Sequence, residues 1–151
     1  ELTNLGTFGY DQAELREINS SGQIIGSVSN GAGATLTSTP FILRNNQFTT
    51  LGSLGGNTGS TNGINEFGQV VGASQIASGV NHAFLWSGGV MTDLNNLLAT
   101  PLTVNGAAVT LTNATSINNF GDITVTGTYT YQNAEGNSVT GTRSFVLKAV
   151  I

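Results

Sequence analysis

One nine-residue motif occurs three times along the chain, and this recurrence limits the fold more than any other feature of the sequence. Residues 18–26 read INSSGQIIG, residues 64–72 read INEFGQVVG, and residues 117–125 carry the diverged copy INNFGDITV. A catalytic motif is rarely present in triplicate, whereas self-similarity at a period of about 20 to 50 residues is typical of repeat architectures. The motif therefore predicts a scaffold built from related units.

Within the motif, the Asn and the Gly predict a hairpin turn. Asn can bond to its own backbone in the turn, and Gly takes the positive φ that closes it. The β-branched residues that follow favour a strand. Structural roles in turns are accordingly expected for Asn19, Gly22, Asn65, Gly68, Asn118 and Gly121.

Two further landmarks recur in the same order as the turn motif. The segments PFILR, AFLWS and SFVLK supply Phe41, Phe84 and Phe145. The segments LTNLG, FTTLG and MTDLN supply Leu5, Leu51 and Leu94. Together they divide a single domain into units of about residues 1–47, 48–90 and 91–151. Each unit is predicted to hold four strands: the TxLG segment, the segment leading into the turn, the segment after it and the FILR-type segment.

The composition favours strands over helices. Only 8% of the residues are charged, so the good helix formers Lys and Glu are scarce, while 21 glycines suit tight turns. We therefore expect an all-β fold with about twelve strands, in which three tandem four-stranded units form an open array resembling propeller blades. A β-trefoil or a β-prism is the alternative, because each also places twelve strands in three repeats.

Charge and hydropathy exclude two classes of partner. A net charge of −4 and a pI near 4.5 leave no basic surface for a nucleic-acid backbone. The apolar runs are far shorter than the roughly 18 residues of a membrane span, so membrane insertion is not expected. Cysteine is absent, which excludes disulfides and thiolate chemistry.

The third unit differs from the other two in ways typical of the end of an array. It carries an inserted stretch, TPLTVNGAAVTLTN at residues 100–113, in which Asn105-Gly106 is the strongest local hairpin signal in the chain. Val125 also replaces the second Gly of the turn motif, which the first two units hold at Gly26 and Gly72. Terminal repeats are expected to be atypical.

The repeated segments resemble a known family. LGSLGG, GINEFGQVVG and HAFLWSGGVMTDLNNL are similar to the HAF repeat of bacterial extracellular proteins, named for the His-Ala-Phe found here at residues 82–84. The first unit has TPF at 39–41 and the third has RSF at 143–145, so these are weaker members. The resemblance covers most of the chain and implies a secreted, extracellular or cell-surface β-repeat protein of propeller-like form. The family brings no established chemistry with it.

No enzyme, metal site or cofactor is predicted. His82 is the only histidine, and with Asp93 and nearby serines it could be imagined as a triad, but no nucleophile stands in the strained turn that such a site requires. The eight acidic residues show no calcium-loop pattern, and the glycine-rich runs lack the features of a phosphate loop. A structural role for His82 is favoured.

Exposed aromatic residues suggest carbohydrate as a second type of partner. Aligning the FILR-type segments places Trp86 where the other units have Arg44 and Lys148, which predicts a partly exposed ring. In ITVTGTYTY, Tyr129 and Tyr131 lie on one strand face. These three aromatic residues are the candidate glycan contacts, and the corresponding function is a lectin-like carbohydrate-binding module.

The preferred function is structural. Each internal FILR-type strand is followed by a TxLG strand, but the strand at residues 144–151 has no successor and the strand at residues 2–6 has no predecessor. Pairing of these two unpaired edges between neighbouring chains would give head-to-tail contacts, and thus a filament, a ring or a surface matrix. Five side chains are expected at the junction: Leu2, Leu5, Phe145, Leu147 and Val150.

Overall fold

A computed structural model describes residues 1–149, which form short antiparallel strands and two 3-10 turns at Gly33–Thr35 and Leu94–Leu97. The strands of this part of the chain are β1 (Gln12–Ile18), β2 (Ile24–Asn30), β3 (Thr37–Arg44), β4 (Gln47–Thr50), β5 (Gly55–Ile64), β6 (Val70–Ile76), β7 (Asn81–Ser87), β8 (Val90–Asp93), β9 (Thr103–Val104), β10 (Ala107–Ala108), β11 (Thr110–Ile117), β12 (Ile123–Gln132) and β13 (Ser138–Leu147). The expectation of an all-β fold is confirmed.

The strands form three open meanders and one small hairpin. The first sheet has the order β1-β2-β3-β4, the second has β5-β6-β7-β8, and the third has β11-β12-β13. β9 and β10 form the hairpin predicted at Asn105-Gly106, whose two turn residues have φ of 51° and 77°. Within residues 1–149 the third sheet therefore has one strand fewer than the other two.

The three sheets share one residue register. Gly26 pairs with Phe41, Gly72 with Phe84, and Val125 with Phe145. These pairs define equivalent positions throughout the sheets. Ile24, Val70 and Ile123 are equivalent, and each begins the strand that follows its turn.

The sheets pack face to face, with an apolar layer on each side of the second sheet. One cluster joins Ile25 and Ile42 of the first sheet to Ile64, Val70 and Phe84 of the second. Another joins the opposite side of the second sheet to the third through residues including Val71, Leu94, Ile117, Ile123 and Val125. A third cluster lies on the outer side of the first sheet. The middle sheet is thus covered on both faces.

This layering is incompatible with the two alternative folds. A β-trefoil closes its strands into a barrel, but each sheet here is open and keeps two edges. A β-prism directs one face of every sheet toward a common core, whereas the second sheet lies between two separate clusters. The β-trefoil and β-prism expectations are therefore wrong.

The TxLG segments do not begin their sheets, which corrects the predicted strand order. The strand before Leu51 is β4, which pairs with β3, and the strand before Leu94 is β8, which pairs with β7. Each TxLG segment thus ends the preceding sheet, because the two-residue turns Asn45-Asn46 and Gly88-Gly89 fold it back at once. Residues 1–7, which contain the first such segment, form no strand.

Trp86 is 5% exposed, so the prediction of a partly exposed ring is wrong. The reason is that the FILR-type segments align differently in the structure. Trp86 pairs with Val70 just as Leu43 pairs with Ile24, so its equivalent in the first sheet is Leu43 and not Arg44. A shift of one residue along a strand moves a side chain to the opposite face.

Candidate functional site

The three turn motifs have the same backbone geometry. In the second turn, the Asn65 carboxamide oxygen accepts from the backbone nitrogens of Phe67 at 3.1 Å and Gln69 at 3.0 Å, and Gly68 has a φ of 75°. Asn19 and Asn118 accept in the same way from Gln23 and Asp122. Each Asn therefore holds its own turn, and each turn Gly has positive φ.

The same asparagines also connect neighbouring sheets. The Asn19 Nδ2 donates to the backbone oxygen of Asn65 at 3.0 Å, and the Asn65 Nδ2 donates to the backbone oxygen of Asn118 at 3.1 Å. Every step runs from the side chain of one turn to the backbone of the next. We call this row the asparagine ladder.

A second row of hydrogen bonds runs beside the asparagine ladder. The Ser20 backbone nitrogen donates to the Glu66 carboxylate at 2.9 Å, and the Glu66 backbone nitrogen donates to the Asn119 carboxamide oxygen at 2.9 Å. The bond from the Ser20 backbone, with smaller contributions from other Ser20 and Ser21 bonds, holds the pKa of Glu66 below its usual value. Sequence reasoning missed this row. Its only signal is the separation of 46 and 53 residues between partners, which equals the spacing of the turn glycines.

The ladder has different chemical groups at its two ends. The Asn19 backbone oxygen has no side-chain amide donor among residues 1–149, although its counterparts on Asn65 and Asn118 each have one. At the other end, the Asn118 Nδ2 makes only a 3.3 Å contact with Asp122. One end of the array thus presents an acceptor and the other a donor.

The first sheet also has an uncovered apolar face. Leu15 and Ile18 of β1 are 48% and 62% exposed, and we call this side of the strand the β1 face. The equivalent positions in the other sheets are buried, since Ile64 is 5% exposed and Ile117 is 8% exposed. Those residues are covered by the sheet that precedes them, and among residues 1–149 no sheet covers the β1 face.

The residues predicted at a junction between chains lie at opposite ends of the array. Leu2 is 99% exposed, and Leu5 packs against the outer cluster of the first sheet. Phe145 and Leu147 are half-buried against the cluster between the second and third sheets. Val150 lies outside the described residues.

An open cavity of about 440 Å³ lies between the second and third sheets, beside the end of β13. Most of its lining is apolar, and the side chains come from both sheets and from the Leu94–Leu97 turn. They include Leu85, Leu94, Leu98, Ile123 and Leu147. At the other junction the corresponding space is occupied, because Trp86 and Met91 pack into the cluster there.

The tyrosines proposed as glycan contacts already have intramolecular partners. The rings of Tyr129 and Tyr131 stack with centroids 6.2 Å apart. Tyr129 also covers Gly141 on the neighbouring strand, and the Arg143 guanidinium lies 5.9 Å from its ring centroid. With Trp86 buried, the three aromatic residues do not come together in one surface.

His82 is bonded to Asp93, with 2.5 Å between Nδ1 and Oδ2. The other Asp93 oxygen accepts from Asn95, and Asn95 bonds to the backbone of Leu111 in the third sheet. Burial raises the pKa of Asp93, but hydrogen bonds from His82 and Asn95 lower it by more, so it lies below its ordinary value of 3.8. The pair thus begins a chain of bonds between two sheets.

This His–Asp pair has no serine partner within the described part of the chain. Ser74 is fully buried, and its hydroxyl accepts from the Leu54 backbone nitrogen at 3.0 Å. Ser87 contacts Gln69 instead of His82. Across residues 1–149, no group of three His, Cys, Asp or Glu side chains is placed to hold a metal ion, and no helix is long and apolar enough to cross a membrane.

Comparison of the chain with protein-family models, with curated proteins and with solved structures found no match. The resemblance to the HAF repeat therefore stays a prediction.

Proposed function

We propose that the chain is a structural β-repeat protein that binds copies of itself head-to-tail outside the cell. The observation that carries this proposal is the strand deficit of the third sheet: β13 pairs with β12 on one side, and no strand of residues 1–149 pairs with its other side. An open edge of this kind recruits an extended segment from another chain.

The two ends of the array differ, which favours a heterologous contact. The first sheet presents the β1 face and the acceptor end of the asparagine ladder, while the third sheet presents an open edge and the donor end. Contacts between unlike surfaces give a ring if the rotation closes and a filament if it does not. We favour the filament, in which the three sheets act as tandem repeats and the third is completed by a neighbour.

The extracellular assignment rests on the sequence. Low charge, the absence of cysteine and abundant Thr, Asn and Gly are common among secreted bacterial surface proteins, and the HAF resemblance implies the same setting. The proposal includes no catalytic activity, because the one His–Asp pair is used between sheets. A lectin-like function is less favoured, since Trp86 is buried and Tyr129 is engaged with Gly141 and Arg143.

Sedimentation velocity and negative-stain microscopy of the full chain over a range of concentrations test this proposal. We expect growing oligomers, and we expect deletion of residues 1–8 to leave soluble, non-assembling protein. Val146→Pro should do the same, because it removes a backbone donor at the open edge. Thr142→Pro changes the same edge four residues earlier and is the matched control that should still assemble. A wild-type chain that stays monomeric at every concentration would refute the proposal.

A further inference from the structure

We propose that residues 1–4 of a second copy form the missing fourth strand of the third sheet, in one fixed register that places Leu2 opposite Leu147. This inference rests on the proposed head-to-tail association and specifies its contact. It follows from the way in which the first two sheets acquire their own fourth strands.

The register comes from the strands that precede each TxLG leucine. In β4, Phe48 stands three residues before Leu51 and pairs with Leu43. In β8, Met91 stands three residues before Leu94 and pairs with Trp86. Leu2 stands three residues before Leu5.

In β13, the position equivalent to Leu43 and Trp86 is Leu147, because Leu147 pairs with Ile123. The same register sets Thr3 opposite Val146 and Asn4 opposite Phe145. It also sets Glu1 opposite Lys148, which are opposite charges.

The backbone of β13 is oriented to accept this strand. The Leu51 backbone nitrogen donates to the Pro40 oxygen at 2.8 Å, so Pro40 and every second residue from it direct their backbone groups toward β4. Ser144 and Val146 hold the corresponding places in β13. Their backbone groups therefore point to the open edge, and in the proposed register the Leu5 nitrogen would donate to the Ser144 oxygen.

The cavity beside β13 is placed to receive Leu2 of the donated strand. Directly opposite residues of an antiparallel pair point to the same face, and Leu147 lines the cavity of about 440 Å³. Leu2 would thus enter this cavity, as Met91 enters the cluster between the first and second sheets. Leu2 is 99% exposed in the single chain, so this contact would remove it from water.

The donating segment already lies in the position that the proposal requires. Leu51 and Leu94 each pack onto the sheet that follows them, and Leu5 packs onto the first sheet in the same way. The packing of Leu5 therefore places residues 1–4 next to the side of the first sheet on which a preceding sheet would lie. The third sheet of a neighbouring copy would occupy that side and cover the β1 face.

The same arrangement continues the asparagine ladder between copies. The Asn118 Nδ2 of one copy would donate to the Asn19 backbone oxygen of the next, in the direction followed by both steps within the chain. Strand pairing is the main contact between copies. The face of the third sheet that would lie against the next copy is more polar than the equivalent faces of the first and second sheets, so it contributes less. Thr124 is exposed where Ile25 and Val71 are buried, and Val146 is the main apolar residue on that face.

The sequence after β13 differs from the turns that precede the fourth strands of the first two sheets. In the first two sheets the turn before the fourth strand consists of Asn45-Asn46 and Gly88-Gly89, all with positive φ. In the third, these sequence positions hold Ala149 and Val150. Neither residue type favours positive φ, least of all the β-branched Val.

Disulfide cross-linking tests the register, and the natural chain has no cysteine to interfere. The variant Thr3→Cys with Val146→Cys places both thiols at exposed positions about 5.5 Å apart between Cα atoms, which suits a disulfide. Thr3→Cys with Ser144→Cys is the matched control, because its diagonal separation of about 7–8 Å or more does not suit one. The first variant should give a ladder of dimers, trimers and larger species on non-reducing gels, at least tenfold more abundant than in the control.

Three outcomes overturn the inference, and they are distinguishable from one another. Equal cross-linking of both variants in a wild-type chain that oligomerises would refute the register and leave the proposed function standing. Efficient cross-linking at monomer mass would show that the strand is supplied by the same chain. A wild-type chain that is monomeric by sedimentation would refute the inference together with the proposed function.

A second variant tests the role of the cavity. Leu2→Asp would place a charge among apolar side chains and should weaken association at least tenfold, whereas Val80→Asp changes an exposed residue at the β6–β7 turn and should leave it unchanged. If sedimentation showed that Leu2→Asp associates as strongly as the wild type, the placement of Leu2 in the cavity would be contradicted.

Discussion

At the scale of single residues, the motif asparagines of the second and third sheets lie in different environments. Asn65 is 3% exposed and connects its own turn to the third sheet, whereas Asn118 is exposed and only holds its turn. Removing a buried amide leaves its backbone partners unsatisfied, which costs about 1–3 kcal/mol per group. The contribution of each Asn to the free energy of unfolding should therefore depend on the position of its sheet in the array, and not on the motif alone.

We predict that Asn65→Ala lowers the free energy of unfolding by about 2–3 kcal/mol and that Asn118→Ala lowers it by about 1 kcal/mol or less. Urea denaturation of both variants measures the difference. Because both side chains make the same local turn bonds, Asn118→Ala is a direct control. Equal losses would show that the asparagine ladder adds nothing beyond the turn.

The turn residues could be predicted from sequence because their roles depend on local backbone chemistry. The positive φ of Gly22 and Gly68, and the self-bonding of each Asn, follow from residue type. The partner of each ladder bond could not be predicted, since it lies 46 or 53 residues away in a neighbouring sheet. The burial of Trp86 could not be predicted for a different reason: the face on which it lies depends on the strand register, which the alignment of the three segments leaves ambiguous by one residue.

The bond between Asp93 and His82 predicts a dependence of stability on pH. The pKa of Asp93 is lowered in the folded state, so the stability it contributes is present above its unfolded value, near 3.8, and is lost as the pH falls through the lower folded value. The melting temperature of the wild type should exceed that of Asp93→Asn at about pH 5. The difference should shrink below about pH 4. A difference that does not change with pH would contradict this role.

At the scale of strands and sheets, two glycines make the closest backbone contacts among the glycines. A Cβ on Gly26 would lie 2.0 Å from the Glu14 backbone oxygen, and one on Gly72 would lie 2.0 Å from the Ser60 oxygen. The third sheet has Val125 at this place, and there β11 has an additional register irregularity between Leu111 and Asn113 that β1 and β5 lack at the equivalent residues. The sequence difference at Val125 thus reflects a different path of the neighbouring strand.

We predict that Gly72→Ala lowers the free energy of unfolding by about 3 kcal/mol, because backbone atoms must move to admit the methyl group. Gly79→Ala is the control: its φ of 85° is unfavourable for Ala, but no atom lies within 4 Å of the added carbon. It should cost about 1 kcal/mol. Thermal or urea denaturation distinguishes the two, and a Gly72→Ala loss no greater than that of Gly79→Ala would contradict the close approach.

The existence of the strands was predictable, and the assignment of some strands to sheets was not. Alternation and turn residues located most strands, including the hairpin at Asn105-Gly106. The sheet to which each TxLG segment belongs could not be predicted, because such a segment can pair either with the strand before it or with the strand after it. Two-residue turns at Asn45-Asn46 and Gly88-Gly89 fold these segments onto the preceding strand. Residues 1–4 form no strand.

At the scale of the whole molecule, the sheets stack so that each covers the first strand of the next, and within residues 1–149 the β1 face stays uncovered. Ile64→Ala should cost about 2–5 kcal/mol in the single chain, since Ile64 is buried between two sheets. Ile18→Ala should cost less than about 0.5 kcal/mol in dilute protein, because Ile18 is 62% exposed.

The same Ile18→Ala change should weaken association at high concentration. Urea denaturation at low concentration and sedimentation at high concentration measure the two effects separately. A large loss of single-chain stability on Ile18→Ala, or unchanged association, would contradict the proposed covering of the β1 face.

Residue-resolved hydrogen–deuterium exchange of β13 tests the central claim most directly, because the claim concerns one row of backbone amides. In the single chain, the amides of Ser144 and Val146 point to the open edge, while those of Phe145 and Leu147 point to β12. We predict that the Ser144 and Val146 amides exchange rapidly in dilute protein and become at least tenfold slower as the concentration rises, while Phe145 and Leu147 stay protected throughout. Rapid exchange of Ser144 and Val146 under conditions in which sedimentation shows assembled protein would contradict the account.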